Sequence, residues 1–241
     1  MKRQLATSKE LSGVAELRAE VARKIAAHAR TAGEHATAIP GLTLYRRTDT
    51  TACYPATYEP SFNLFVQGQK RITLGGTTYL CDRSTFLLSS LDLPVVSQIV
   101  QASEAVPLLS MLLKLDMAAV RKILTHAEFQ SQNGSSEARG IAIGKTTVDL
   151  LKPCSRLLDL LDAPEDIPFL GSLIEREIVY RLLRGRRERV SAPLPHSVTR
   201  ATERRRRSPG SETTTENLSA WRNWRKLRGW ACQPSIIISV R

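Results

Sequence analysis

The stretch KRITLGGTTYL, residues 70–80, sets a Gly-Gly pair between two runs of alternating apolar and polar residues. Glycine accepts the positive φ that a two-residue hairpin turn requires, so the pattern specifies two tightly joined antiparallel strands. Residues 41–115 repeat the theme. LTLYRRT, SFNLFVQG, KRITLGG, TTYLCD, TFLLSS, PVVSQIV and PLLSMLLKL are short runs rich in β-branched and aromatic side chains. Turn formers separate them: Gly68, Gly75, Gly76, Asp82, Pro94 and Pro107. Seven short strands at regular spacing predict a small antiparallel barrel or sandwich.

The flanks change period. Residues 8–31 carry Leu11, Val14, Leu17, Val21 and Ile25 at spacings of three and four, which predicts an amphipathic helix with Ser8 as its N-cap. TAGEHATAIPG then breaks it, so residues 1–40 read as a helix and a linker. Beyond the strands, residues 116–185 return to helical spacing. Asp116 is the expected N-cap of DMAAVRKIL. A second helix carries Val148, Leu151, Leu157, Leu158 and Leu161, with Pro153 in its first turns. A third carries Leu170, Leu173, Ile174, Ile178 and Leu182 on one face and is expected to stop at Gly185. Glu175, Arg176, Glu177 and Arg181 lie off that face.

The net charge of +12 is unevenly placed. Residues 186–241 hold 13 Lys and Arg against 4 Asp and Glu. This segment is rich in Arg, Ser, Thr and Pro without apolar period, and its composition predicts disorder. ATERRRRSPG invites a nucleic-acid reading; a solvated run is the alternative.

Other chemistry is missing. Cys53, Cys81, Cys154 and Cys232 form no CxxC pair, and are expected to be thiols in a reducing compartment. No apolar run approaches a membrane span, and no apolar signal core follows Met1. A cytoplasmic protein without a membrane partner is expected. His28, His35, His126 and His196 are dispersed, and none falls within 41–115, so the histidine cluster of a metal-binding barrel enzyme is not available. GIAIGK, residues 140–145, lacks the spacing of a phosphate loop. No nucleophile–base arrangement can be assembled, so no catalytic residue, metal or cofactor is expected.

Several stretches resemble the N-terminal effector domain of AraC-type transcriptional regulators: Tyr58-Glu59-Pro60-Ser61, the VQGQKRITLGG hairpin with Gly68, Gly75 and Gly76, and FLLSSLDLPV with Pro94. DAPEDIPFLGSLIEREIVYRLLRG continues the likeness, which spans roughly residues 10–185. The resemblance implies an α+β fold: an N-terminal helix, a small antiparallel cupin-like β-barrel over 41–115, and a helical dimerisation or linker segment over 116–185. It implies a small-molecule effector, a possible homodimer, and a following DNA-binding domain of two helix-turn-helix motifs. Residues 186–241 show neither motif.

The genetic code suggests why. Reading the third base of each codon with the first two of the next gives an apolar residue wherever a codon begins with T. From Trp221 these are Trp221, Trp224, Trp230 and Cys232, with Leu227, Ser235 and Ser239 for allowed codons. Their spacings of two to four approach those of amphipathic helices. Asn223-Trp224 must give leucine and Trp230-Ala231 must give glycine. Permitted codons over the last residues give VAELEKVARMGVSTLHHHF, a helix, a glycine turn and the start of a recognition helix. The expectation is a frameshift near residues 184–200, with no DNA-binding motif intact and no specific DNA binding. Nonspecific attraction of the basic tail to phosphates remains possible physically.

A regulator polypeptide with its effector domain present and its helix-turn-helix lost is therefore expected. The alternatives are a stand-alone small-molecule-binding module and a barrel enzyme. Alternation puts Phe62, Leu64 and Val66 on one face of their strand, and Asn63, Phe65 and Gln67 on the other. Asn63, Phe65 and Gln67, being polar and aromatic, are candidate ligand contacts if their face lines the barrel. The sequence leaves open which face does.

Overall fold

The computed structural model describes residues 2–125, 140–190 and 237–238, with side chains for 12–125 and 140–184. A long helix, α1 (Lys2–His28), leads into a compact set of strands: β1 (Gly33–Ala36), β2 (Leu42–Arg47), β3 (Tyr54–Tyr58), β4 (Ser61–Gln67), β5 (Gln69–Leu74), β6 (Thr77–Asp82), β7 (Thr85–Ser89), β8 (Leu93–Gln101) and β9 (Leu108–Lys114). There follow α2 (Met117–Leu124), β10 (Ile141–Lys145), α3 (Val148–Asp159), a short 3-10 and π segment (Pro164–Gly171) and α4 (Ser172–Val190). Ile237–Ile238 forms a two-residue strand, β11, parallel to β6.

The strands make two sheets rather than one closed barrel. One runs β1-β2-β9-β4-β7-β10 and the other β11-β6-β5-β8-β3. The chain crosses between them repeatedly, most sharply at Gly68. There φ is 76°, and a Cβ would lie 2.6 Å from Leu108 Cα and 2.8 Å from the Gln101 carbonyl oxygen. Only glycine combines that conformation with that closeness. The expected hairpin is present, with Leu74 opposite Thr77 and Gly75 at φ 57°.

Alternation gives the six-stranded sheet two different faces. Leu42, Leu44, Phe62, Leu64, Val66, Leu109, Met111 and Leu113 point outward into a core shared with the helices. Val21, Ile25 and Ala29 of α1, Leu150, Leu151, Cys154, Leu157 and Leu158 of α3, and Ile174, Ile178 and Leu182 of α4 close it. Burying each of the large aliphatics is worth about 1.5–3 kcal/mol, which makes this layer the main stabiliser. The second core lies between the sheets, where Tyr58, Phe65, Ile72, Tyr79, Cys81, Leu87, Val95 and Ile141 meet.

Local signals explain the starts of α2 and α3. Asp116 caps α2 by accepting from the Ala118 amide at 2.8 Å, as its position implies. Thr147 caps α3, accepting from the Leu150 amide. Arg156–Glu177 at 2.8 Å and Arg181–Asp149 at 3.2 Å join α3 to α4.

Several expectations need correction. α1 already runs from Lys2, so Ser8 lies inside the helix and does not begin it. Of the stripe assigned to α4, Ile174, Ile178 and Leu182 are buried, but Leu170 and Leu173 are 41% and 57% exposed. Leu170 falls within the π turn at Ile167–Gly171, which breaks the helical repeat, and Leu173, adjacent to Ile174, sits about 100° round the helix from it and off the line of Ile174, Ile178 and Leu182. α4 passes through Gly185 to Val190 instead of stopping there. Four strands fall where none was expected. β1 lies in the linker, β3 lies between two of the predicted runs and pairs with β8, β10 lies in the helical segment and pairs with β7, and the two-residue β11 lies in the tail. Cys81 and Cys154 are buried free thiols, whereas Cys53 is disulfide-bonded. The DNA-binding and tail expectations, apart from the Ile237–Ile238 pairing, lie outside the described residues.

Candidate ligand cavity

The inner face of the six-stranded sheet is organised in cross-strand rows. Tyr45, Ser110 and Phe65 stand opposite one another on β2, β9 and β4. Thr43, Leu112 and Asn63 form the next row, and Ser61 stands opposite Lys114. The second sheet faces them with Tyr54 and Tyr58 from β3, Lys70 from β5 and Ile99 from β8. Between the sheets is a cavity of about 380 Å³, in the size range of small-molecule sites. Glu34, Arg47, Glu59 and Leu108 complete much of its wall.

The face question left by the sequence is thus answered. Ser61, Asn63 and Phe65 line the cavity, while Phe62, Leu64 and Val66 face the helices. Gln67 does not follow its alternation partners. A β-bulge between Phe65 and Gln67 shifts the register, so that Gln67 stands opposite Leu109. Its amide instead donates to the Pro107 carbonyl oxygen at 2.8 Å. The residues that carried the family resemblance divide by role. Tyr58 is buried in the cavity wall. Ser61 Oγ donates to the Glu59 carbonyl oxygen at 2.9 Å, and the Pro60 carbonyl oxygen accepts from the Leu115 amide. Gly68 and Gly75 make turns, a Cβ on Gly76 would meet nothing within 4 Å, and Pro94 is exposed on β8 opposite Thr57.

Charge in the cavity is unevenly matched. Glu59 and Lys114 pair at 2.6 Å near solvent, and the hydrogen bond to Glu59 raises the Lys114 pKa. The Arg47 guanidinium lies 5.8 Å from the centre of the Tyr45 ring. Burial pushes the Tyr45 phenol up to about 12, helped by the nearby Glu34 carboxylate. The Lys70 ammonium lies 5.4 Å from the Tyr58 ring centre and 6.0 Å from that of Tyr54. Among the described residues, Lys70 makes no ion pair.

Among the described residues, one buried side-chain atom of the residues that line the cavity lacks a partner. Asn63 is 5% exposed, and its Oδ1 accepts no hydrogen bond. It is the cavity's own unsatisfied side-chain atom; the others among the described residues, on Arg18, Thr146 and Arg181, are not part of the wall. Among the described residues, no three His, Cys, Asp or Glu side chains come together as a metal site requires, and no helix is long and apolar enough to cross a membrane.

Sequence reasoning missed Lys70, although the signal was present. Ile72 belongs to the core between the sheets, and residues two apart on a strand share a face. Tyr45 and Tyr54 were missed because only β4 was searched for candidates.

Residues 38–190 match the family described as AraC-type transcriptional regulator N-terminus. ToxT from Vibrio cholerae O395, bound to (E)-4-(8-methylnaphthalen-1-yl)but-3-enoic acid, is similar at 11% identity and a TM-score of 0.45, with 61% of this chain and 56% of that one covered. Unsaturated-fatty-acid-bound ToxT from V. cholerae strain SCE256 is similar at 9% identity and a TM-score of 0.42, over 61% and 54% of the two chains. The AraC-like transcriptional activator CuxR is similar at 12% identity and a TM-score of 0.34, over 80% and 64%. The chain thus spans a little over half the length of the ToxT structures. A comparison with curated proteins found no match.

Proposed function

This chain belongs to the AraC-type transcriptional regulators, and we propose that its two-sheet unit is the part of such a regulator that senses a small molecule. The observation that carries this reading is a cavity of about 380 Å³ lined by Asn63, whose buried Oδ1 has no partner among the described residues. An unsatisfied buried acceptor costs about 1–3 kcal/mol, which a donor on a ligand would offset. Asn63 and Phe65 are proposed as ligand contacts; Gln67 supports the adjacent loop.

The sheet itself offers a route from ligand to helices. β2, β4 and β9 present cavity residues on one face and the core shared with α1, α3 and α4 on the other. A ligand that favours one arrangement of these strands biases the helices packed on their backs, by its differential affinity for the two arrangements.

Thermal unfolding of the full chain with panels of small acids, sugars and amines tests the reading. A binder at a hundredfold excess over its Kd stabilises by about 2.7 kcal/mol. Phe65→Trp, which fills the cavity, should abolish the shift while unfolding stays cooperative. A ligand that stabilises this variant as well as the parent would place the site elsewhere.

The rest of the reading is non-enzymatic, cytoplasmic and homodimeric, and sedimentation of the purified chain measures the last of these. The basic segment is proposed to be the product of a frameshift that removed the helix-turn-helix motifs. The nucleotide sequence tests that directly: a shifted frame without helix-turn-helix coding potential defeats it. Gel shifts should then show no operator preference, and any residual binding should fade steeply with salt because phosphate contacts alone remain.

A further inference from the structure

Among the described residues, Lys70 is a cavity cation without an ion pair, and the acidic groups of the wall are engaged elsewhere. Glu59 is taken by Lys114, and Glu34 lies against the Tyr45 phenol. Two acidic side chains do stand near the Lys70 ammonium, but neither supplies a negative charge. Tyr58 offers it the face of its ring, and burial holds that phenol in its neutral form. Cys81, opposite Lys70 on β6, is 0% exposed, and burial raises its thiol to about 12 despite the pull of the lysine charge. The ammonium is therefore held between neutral aromatic surfaces, where attraction to an incoming anion is screened less than in bulk water. A carboxylate brought to it gains a charge-assisted hydrogen bond.

Asn63 lines the same cavity, and its buried carbonyl oxygen accepts nothing among the described residues. A ligand that met only the lysine would leave this acceptor stranded. A ligand with both a carboxylate and a hydroxyl or N–H group satisfies both. Tyr45, Tyr54 and Phe65 line the intervening wall, a surface suited to a flat apolar body.

We propose that the cavity takes a small organic acid carrying a hydrogen-bond donor, with Lys70 as the anchor for its carboxylate and Asn63 as the acceptor for its donor. This rests on the effector-sensing reading and narrows it to one chemical class. Arg47, also on the wall and stacked on Tyr45, is a secondary positive charge that favours anions over cations in the same space.

Calorimetric titration of the full chain tests the assignment with matched probes: 4-hydroxybenzoate, benzoate without the donor, 4-hydroxybenzamide without the charge, and tyramine with the opposite charge. Aliphatic 3-hydroxybutyrate and butyramide cover the case in which the body is not flat. The hydroxy acids should bind best. Loss of the carboxylate should weaken binding about ten- to a hundredfold, the worth of a charge-assisted hydrogen bond. Lys70→Met should weaken hydroxy acids by a similar factor and erase their advantage over the amides. Asn63→Leu should erase the advantage of 4-hydroxybenzoate over benzoate. Near-ultraviolet circular dichroism of each variant reports whether the fold persists; for a variant that does not fold, Lys70→Arg and Asn63→Asp provide the comparison, the first retaining acid binding and the second repelling it. Stronger binding of amides or tyramine, or acid binding that Lys70→Met leaves unchanged, overturns this assignment while keeping the cavity as a sensing site. Binding by none of the probes overturns the assignment, and if the sugar and amine panels fail too, the sensing reading falls with it.

Discussion

Lys24 Nζ donates to Ser155 Oγ at 2.6 Å, tying the first helix to the helix that follows the sheets. The same ammonium reaches Glu20 at 2.8 Å and also pairs with Asp159, and Ser155 Oγ in turn donates to Glu20. The cluster sits at the edge of the apolar seam formed by Val21, Ile25, Leu151 and Cys154. Ser155 is 4% exposed and boxed in by these partners, so a serine beside a lysine here serves as a clamp and not as a nucleophile. Ser155→Ala should lower stability by about 1 kcal/mol, the typical worth of a hydrogen bond. Urea unfolding measures it, and a change under a few tenths of a kcal/mol would show that the seam alone docks the two helices.

The clamp has a pH signature. Hydrogen bonds from Lys24 and Ser155 lower the Glu20 pKa from its ordinary 4.5. A lowered carboxylate stabilises the fold above its unfolded pKa and loses that contribution as pH falls through the folded value. Lys24 is raised above 10.5: burial opposes the charge, but the bonds to Asp159 and Glu20 outweigh it. Its contribution is complete below 10.5 and is lost as pH rises through the raised value. The stability gap between the parent and Glu20→Gln should therefore be flat near neutrality and narrow below about pH 4.5. A gap that stays constant down to pH 3 would refute the assignment.

The two turn glycines differ sharply in what surrounds them. Gly68→Ala would force a side chain onto Leu108 and the Gln101 carbonyl oxygen at a φ of 76°. At Gly75, φ is also positive, but nothing lies within 4 Å. Gly75→Ala should cost roughly 1–2 kcal/mol for the left-handed conformation alone. Gly68→Ala should cost clearly more, enough to lower expression or prevent cooperative unfolding, because backbone and not a side-chain tip is in the way. Equal melting temperatures for the two variants would contradict the crossing at Gly68.

Much of this architecture was legible because it rests on local rules. The Gly75-Gly76 turn, the Asp116 cap and the alternation of β4 each depend on a few adjacent residues. What escaped the sequence depends on partners far along the chain. β1 is Gly33–Ala36, a run with no large apolar residue, and it is a strand because β2 pairs with it over four positions. β10 falls within the stretch expected to be helical but completes the sheet beside β7. Gln67 was assigned to the face of Phe65 by simple alternation, and a single bulge removed it. Lys70 gains its interest from Tyr54 and Tyr58, which lie on another strand and are invisible as neighbours in the sequence.

The buried thiols offer a direct test of the two cores. Cys154, wholly buried among the helices, and Cys81, between the sheets, are both raised by burial, Cys81 to about 12. The thiolate is the reactive form, so neither should react with an aromatic disulfide reagent at pH 8 while the chain is folded. Both should react quickly in denaturant. Rapid native labelling at Cys81, mapped by mass spectrometry, would mean that the sheets part readily.

Tyr45 and Tyr58, on the cavity wall, should ionise late. Burial raises both Tyr45, to about 12, and Tyr58, and the Glu34 carboxylate adds to the effect at Tyr45. An ordinary phenol titrates near 10, so between pH 10 and 12 the unfolded chain releases protons that the folded chain retains. Stability must then fall as pH rises through that window. In an alkaline titration followed at 295 nm, both phenols should remain protonated at pH 11 in the native chain and ionise together with unfolding. Tyr45→Phe should remove one late-titrating group and leave the other. If all of the tyrosines ionise near pH 10 with the fold intact, as judged by circular dichroism, water reaches the phenols freely and the wall around Lys70 is not the neutral, sheltered surface described.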